Sequence, residues 1–247
     1  MIPLKIHYCW FGGKPLPALA RRCIESWRRM MPEVEIVRWD ESNYDCSTVP
    51  YVAAAYRAGK WAFVSDYARL DVIAREGGVY LDVDVELLRS LRPLAGTRAA
   101  FVGRQLDGCV NTGLILAAEP NNAIVVKMRD AYQDYRWTDG AGRFSLAPCT
   151  VLQTDFLTEL GYDSKSTEEQ TIAGLTVLRP NIIASENQQG LLCPDAEAFG
   201  IHYGMSSWYP WGWRALRTTK RMLAKCFGPK VLGRLVRFKR LFARRYL

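Results

Sequence analysis

The sequence predicts an α/β domain followed by a basic amphipathic tail, and three observations carry that expectation. Between Trp61 and Leu88 the chain reads as a helix, a glycine stop, a short apolar strand and a pair of carboxylates. Residues 3–10 alternate as a first strand that runs into Phe11-Gly12-Gly13. From Arg214 to Leu247 there are twelve Lys or Arg and no Asp or Glu.

In the central stretch, Ala62 to Arg75 holds good helix formers, with Val64, Ala68, Val72 and Ala74 near the helical period. Gly77-Gly78 is a C-cap signal, because glycine adopts positive φ without a Cβ clash. Val79-Tyr80-Leu81 is short and apolar, as a central strand is. Asp82 and Asp84 then follow, and residues two apart on an extended chain share a side, with Val83 turned to the core. Adjacent carboxylates repel unless a cation or donor lies between them, and hard oxygens of this kind suit Mg2+ or Mn2+. Asp66 and Arg69 lie three apart on the helix and share a face, offering one hydroxyl acceptor and one fork-shaped donor. Together these suit a nucleotide-sugar site. On the D-x-D triplet alone, a solvated strand end is the simpler reading.

A chain of 247 residues, 49% hydrophobic, suits one substantial domain with a small appendage. The expected boundaries are 1–213 for the domain and 214–247 for the tail. Seven scattered cysteines without a C-x-x-C pair suggest neither a disulfide framework nor a zinc site. A reducing cytoplasm is expected, since no signal-type apolar region follows Met1 and no apolar run is long enough for a bilayer. The net charge of +8 is an average of two unlike parts. Removing the tail's twelve leaves 33 − 12 = 21 basic against 25 acidic residues, a net of −4.

In order, Pro15 to Met31 is expected as a helix with Arg21, Arg22, Arg28 and Arg29 on its wet side. Val34 to Trp39 follows as a second strand, and Asp40 to Asn43 as a turn. Tyr51 to Gly59 is a short helix. Past the carboxylates, Val85 to Leu88, Ala99 to Gly103 and Val110 to Ala117 read as extended, the last entered through Asn111-Thr112-Gly113. Ala123 to Tyr135 and Val151 to Leu160 read as helices on either side of a polar loop, Arg136 to Arg143. Leu175 to Arg179 and Ile182-Ile183 read as short edge strands. His7 is expected to be a satisfied core histidine.

The fuller run S-D-x-x-R-x-x-x-x-x-x-x-G-G-x-Y-L-D-x-D-V, from Ser65 to Val85, is far more specific than the triplet. It resembles the core of glycosyltransferase family 32, the DXD-containing sugar transferases that include capsule-synthesis enzymes, and is similar to the glucosyltransferase domains of large clostridial toxins. The opening I-H-Y-x-W-F-G-G fits the same group. The resemblance implies a GT-A-like (Rossmann-like) α/β domain that transfers sugar with retention from a nucleoside diphosphate, UDP favoured and GDP possible. It implies Mn2+ or Mg2+ bridging the diphosphate and Asp84, and Asp82 on ribose and sugar. It places Ser65, Asp66 and Arg69 at the donor, Trp10 under the base and Asn111 near the donor sugar. Asp40 and Asn43 are weaker candidates near the nucleotide, and the helix from Val151 is placed near an acceptor cleft.

The stretch Phe199 to Trp208 carries the second motif, H-x-x-x-x-S-W, with an S-x-W element at Ser206 and Trp208. A neutral imidazole at His202 can complete the coordination of a divalent metal. The resemblance sets Ser206 and Trp208 on the diphosphate, with Asp82, Asp84, Arg69 and Trp208 as the catalytic set. Tyr203 stands where the toxin group has an acidic metal contact, so the third metal ligand is His202 or water.

Trp208, Trp211 and Trp213 precede the basic tail, and Val231, Leu235, Phe238, Phe242 and Tyr246 recur near the helical period within it. Aromatics beside a cationic amphipathic segment suit a membrane interface. The expected partners are an anionic membrane surface and a lipid-linked glycan acceptor of a capsule or envelope polysaccharide, with the enzyme peripheral on the inner face. The apolar stripe favours lipid over nucleic acid, which is not expected as a partner. Two other classes fit parts of the chain. A haloacid-dehalogenase-type phosphatase also uses an apolar strand before D-x-D-x-V, though that motif usually opens such chains. A basic membrane or nucleic-acid adaptor would need only the tail.

Overall fold

The computed structural model describes residues 1–133, 135, 148–185, 192 and 194–205. The expectations for the 136–143 loop, for Ser206 and Trp208, and for the tail helices lie outside the described residues.

Seven strands form the main sheet. They are β1 (Lys5–Cys9), β2 (Glu35–Trp39), β3 (Gly78–Tyr80), β5 (Ala100–Val102), β6 (Leu116–Ala118), β7 (Gln170–Ile172) and β8 (Leu175–Val177), in the order β2-β1-β3-β6-β5-β8-β7. β1 is parallel to β2 and β3, β6 is antiparallel to β3 and β5, and β5 is parallel to β8. The carboxyl ends of β1, β2, β3, β5 and β8 therefore share one edge. A second sheet holds β4 (Val85–Leu87), β9 (Ile183–Ala184) and β10 (Gly200–His202), in the order β4-β10-β9.

The strands alternate between two cores, as the period of two dictates. Tyr80, Val102 and Leu116 face one core, which is covered by α2 (Pro50–Arg57), α3 (Trp61–Glu76), α5 (Ala123–Asp130) and α6 (Cys149–Glu159). Ile6, Tyr8, Val79, Leu81 and Phe101 face the other, beneath α1 (Ala18–Met30) and the second sheet. α4 (Arg92–Ala95) is a single turn after β4. This is the α/β layering expected of a GT-A-like domain.

α1 is amphipathic: Cys23, Ile24, Ser26 and Trp27 are buried, while its expected arginines are exposed. Trp27 Nε1 donates to the Val85 carbonyl at 2.7 Å, and Ser26 Oγ accepts from the Leu87 N–H at 2.8 Å. These bonds tie the helix to β4. α3 is buried on most sides, even at Asp66 and Arg69, as befits a helix between a sheet and two neighbouring helices.

Three expectations change. Asp82 and Asp84 do not lie on an extended strand. The Asp82 carbonyl accepts from the Val85 N–H at 3.0 Å, so the pair sits on a turn that moves the chain from β3 into the second sheet. Val83 is nonetheless buried. The strand expected over Val110–Ala117 is only Leu116–Ala118, because Asn111 Oδ1 accepts from the Gly113 N–H and the Asn111 carbonyl from the Leu114 N–H. A turn thus uses the polar groups a ladder would need. Gly77 does close α3 at φ 65°, but with ψ −162°, so the chain passes straight into β3 rather than through a left-handed cap. Helices α5 and α6 are otherwise as read, with α5 ending at Asp130.

Candidate active site

The common edge of the sheet gathers the sequence-predicted residues. β3 delivers Asp82, the turn after it delivers Asp84, and the end of β10 delivers His202. Ligand atoms of the three lie within 4.8 Å of one another. His202 Nε2 is 3.3 Å from Asp84 Oδ1, and the Met205 N–H donates to Asp84 Oδ2 at 2.5 Å. The residues come from distant parts of the chain because β10 pairs antiparallel with β4, placing His202 opposite Val85.

Arg69 holds the other side. It is buried, with Nη2 3.0 Å from Asp66 Oδ1 and 3.2 Å from Asp82 Oδ1. Its Nε donates to the Ser65 carbonyl at 3.1 Å, and its guanidinium lies 5.1 Å from the centre of the Tyr80 ring. The expected fork-shaped donor is thus already engaged, and Arg69 bridges the helix acid to the strand-end acid. Tyr80 adds its hydroxyl to Asp82 Oδ1 at 3.0 Å.

Charge follows burial and partners. Burial pushes Asp66 up to about 6, with Arg69 opposing. Burial likewise raises Asp82 against the pull of Arg69. Asp84 is buried too, yet His202 and the Met205 N–H outweigh that and hold its carboxyl below the usual range. Burial works against the Arg69 charge, but Asp82, Tyr80 and Asp66 raise its pKa well above the ordinary value.

The remaining candidates are placed as follows. Trp10 is half-buried just past β1, its Nε1 donating to the Lys14 carbonyl at 2.6 Å. The Ser65 hydroxyl bonds back to the Trp61 carbonyl at 3.1 Å, so what it brings to the site is its own carbonyl, on Arg69. Asn111 is buried and shapes the turn that carries Gly113. Asp40 accepts from Ser42 and faces Arg38, and Asn43 bridges its own turn. His7 is only half-satisfied. Its Nδ1 accepts from Trp39 Nε1 at 3.0 Å, but Nε2 has no hydrogen-bond partner among the described residues.

Sequence reasoning missed Tyr80, Thr112, Gln153 and Cys149. Thr112 Oγ1 lies 3.4 Å from Arg69 Nη1 and accepts from Gln153 Nε2 at 2.9 Å, while Cys149 Sγ lies 3.8 Å from the same Arg69 nitrogen. The Tyr80-x-Asp82 spacing was a usable signal. Nothing local in the sequence marks Gln153 or Cys149 as neighbours of Arg69.

Two carboxylates and an imidazole are a hard, mixed oxygen and nitrogen donor set that fits a divalent cation. Residues 17–100 match the family model of the glycosyltransferase sugar-binding region containing a DXD motif. Within the matched residues the D-x-D triplet is Asp82-Val83-Asp84. The match spans 84 of 247 residues and bears out the expected transferase class of enzyme. No curated protein matches by sequence. Among solved structures the chain is similar to one described as PaToxG glycosyltransferase, at 20% identity and TM-score 0.48, covering 66% of this chain and 71% of that one. It is similar to a glycosyltransferase involved in glycosylation of the PBCV-1 major capsid, at 12% identity and TM-score 0.46, covering 89% and 100%. A third is the galactosyltransferase LgtC in complex with donor and acceptor sugar analogues, at 15% identity and TM-score 0.43, covering 90% and 95%.

Proposed function

We propose that the protein is a metal-dependent, retaining glycosyltransferase that moves a sugar from a nucleoside-diphosphate sugar, UDP favoured and GDP possible, to a glycan acceptor. The convergence of Asp82, Asp84 and His202 within 4.8 Å, beside the Arg69 bridge, carries this reading. Asp84 and His202 would hold Mn2+ or Mg2+, with Asp82 alongside; when bound, the ion neutralises charge on the diphosphate.

The chain's own residues do the rest. Asp66 and Asp82, fixed by Arg69, present carboxylate oxygens to sugar and ribose hydroxyls. Trp10 offers an indole face to the base. Ser206 and Trp208, from the S-x-W element, would donate to the leaving diphosphate. The sequence marks no carboxylate as a nucleophile for the opposite face of the sugar, so the proposed route is front-face, without a covalent intermediate. In that route the anomeric carbon–oxygen bond to phosphate breaks, a bond to the acceptor oxygen forms on the same face, and the acceptor proton passes to the leaving phosphate. The basic tail supports a location on the inner face of a membrane and a lipid-linked acceptor, in capsule or envelope polysaccharide synthesis as in family 32.

A thermal-shift series of UDP- and GDP-sugars, with and without Mn2+, tests the donor site. One nucleotide series should raise the wild-type transition only with metal, and Asp84→Ala should lose that shift. A folded wild type that responds to neither series contradicts the proposal.

A further inference from the structure

A second set of polar contacts flanks the Asp84 corner and has no part in the reading above. Glu86 lies on β4, two residues past Asp84, and Tyr203 follows His202 at the end of β10. Tyr203 donates its hydroxyl to Glu86 Oε2 at 2.5 Å. Arg22, on α1, brings Nη2 to 3.5 Å from the same oxygen and sets its guanidinium 5.1 Å from the centre of the Tyr203 ring. Three elements thus meet at one carboxylate.

The pairing of β10 with β4 ends at His202 opposite Val85. Beyond it, the Tyr203 N–H reaches the Asp84 carbonyl at 3.0 Å and the Met205 N–H reaches Asp84 Oδ2. Both Asp84 carboxylate oxygens are therefore contacted by the short segment 202–205. The Arg22–Glu86 pair is half-wet and weak by itself. The Tyr203–Glu86 bond is short and charge-assisted, so it is the stronger tether.

We infer that Arg22, Glu86 and Tyr203 form a clamp that seats His202 and Met205 on Asp84, making Glu86 and Tyr203 positioning residues for the metal corner. The inference rests on the metal-dependent reading proposed above. Tyr203 is then an anchor, its hydroxyl proton held by Glu86. Groups bonded directly to a metal ligand typically contribute about 10–100-fold to metal affinity, and Glu86 and Tyr203 act one contact further out, through the segment 202–205.

The test is a Mn2+ titration of the full chain, followed by the paramagnetic resonance of free Mn2+, alongside the melting temperature of the metal-free protein. Tyr203→Phe and Glu86→Ala should each weaken Mn2+ binding several-fold, up to about tenfold, the lower end of the range for direct partners of the ligands. Glu86→Gln, which keeps an acceptor oxygen for the tyrosine, should retain more affinity than Glu86→Ala at the same melting temperature. Wild-type affinity in both Tyr203→Phe and Glu86→Ala would overturn the clamp while leaving the metal reading intact. Equal losses in Glu86→Gln and Glu86→Ala would also overturn it. A wild type that binds no Mn2+ would overturn the metal reading and the clamp together.

Discussion

A Cβ on Gly113 would overlap Asp82 Oδ2, and would stand 2.9 Å from its carboxyl carbon and 3.0 Å from Arg69 Nη1. Gly113→Ala should therefore displace the Asp82 carboxylate and leave the two cores untouched. A misplacement of about 1 Å can cost on the order of a hundredfold in rate. Transfer activity should fall by about that factor with a small change in melting temperature. Full activity would mean that Asp82 need not sit where it does. His7 offers a separate test. Burial lowers its pKa from 6.5 to about 4, so between those values the unfolded chain takes up a proton that the folded chain does not. Its contribution to stability is complete above pH 6.5 and is lost as pH falls through that window, by about 3 kcal/mol. Asp66 works in the opposite sense. Raised from 3.8 to about 6, it contributes fully below 3.8 and loses that contribution as pH rises through 6. The two overlap, so melting curves of His7→Asn and wild type against pH isolate the histidine. Wild type should lose ground to the variant on acidification, and parallel curves would contradict the account.

At the scale of elements, the α3–β3 junction organises the site. Gly77 has φ 65° and ψ −162°, and a Cβ there would approach Pro120 Cδ to 2.6 Å. That backbone region is essentially reserved for glycine, and forcing a side chain into it costs about 1–3 kcal/mol. Gly77→Ala should lower the melting temperature by roughly 2–4 °C per kcal/mol lost, read by calorimetry. An unchanged transition would show that the junction relaxes freely. This junction was the most legible part of the sequence. Helix formers, Gly-Gly and Val79-Tyr80-Leu81 gave α3 and β3 within a residue or two, because each obeys a local rule. Asn111-Thr112-Gly113 misled, since a side chain captured the backbone group that a strand would have used. The β4-β10-β9 sheet was not legible, because nothing local tells Val85–Leu87 to leave the main sheet and pair with residues more than a hundred positions on. His202 was found from its motif, but its contact with Asp84 depends on that pairing. Arg69 was found as well; its bridge to Asp82 was not, since it needed the sheet edge to close beside the helix.

Across the whole molecule, charge separates a mildly acidic 1–213 from a tail with twelve basic residues. Each basic group near an anionic leaflet contributes about 1 kcal/mol. Removing 214–247 should therefore abolish sedimentation with anionic vesicles at low salt, with neutral vesicles as the control. Retained binding would place the membrane contact elsewhere. The cores and the site do not depend on that outcome. The architecture gives the site its logic: five strands end at one edge, and the second sheet folds His202 back onto the carboxylates delivered there. The most direct measurement is anomalous diffraction at the manganese edge from crystals grown with Mn2+ and a nucleoside diphosphate. The account predicts one strong peak between Asp82, Asp84 and His202 with diphosphate density beside it. A peak elsewhere, or none at that corner with nucleotide bound, would contradict it.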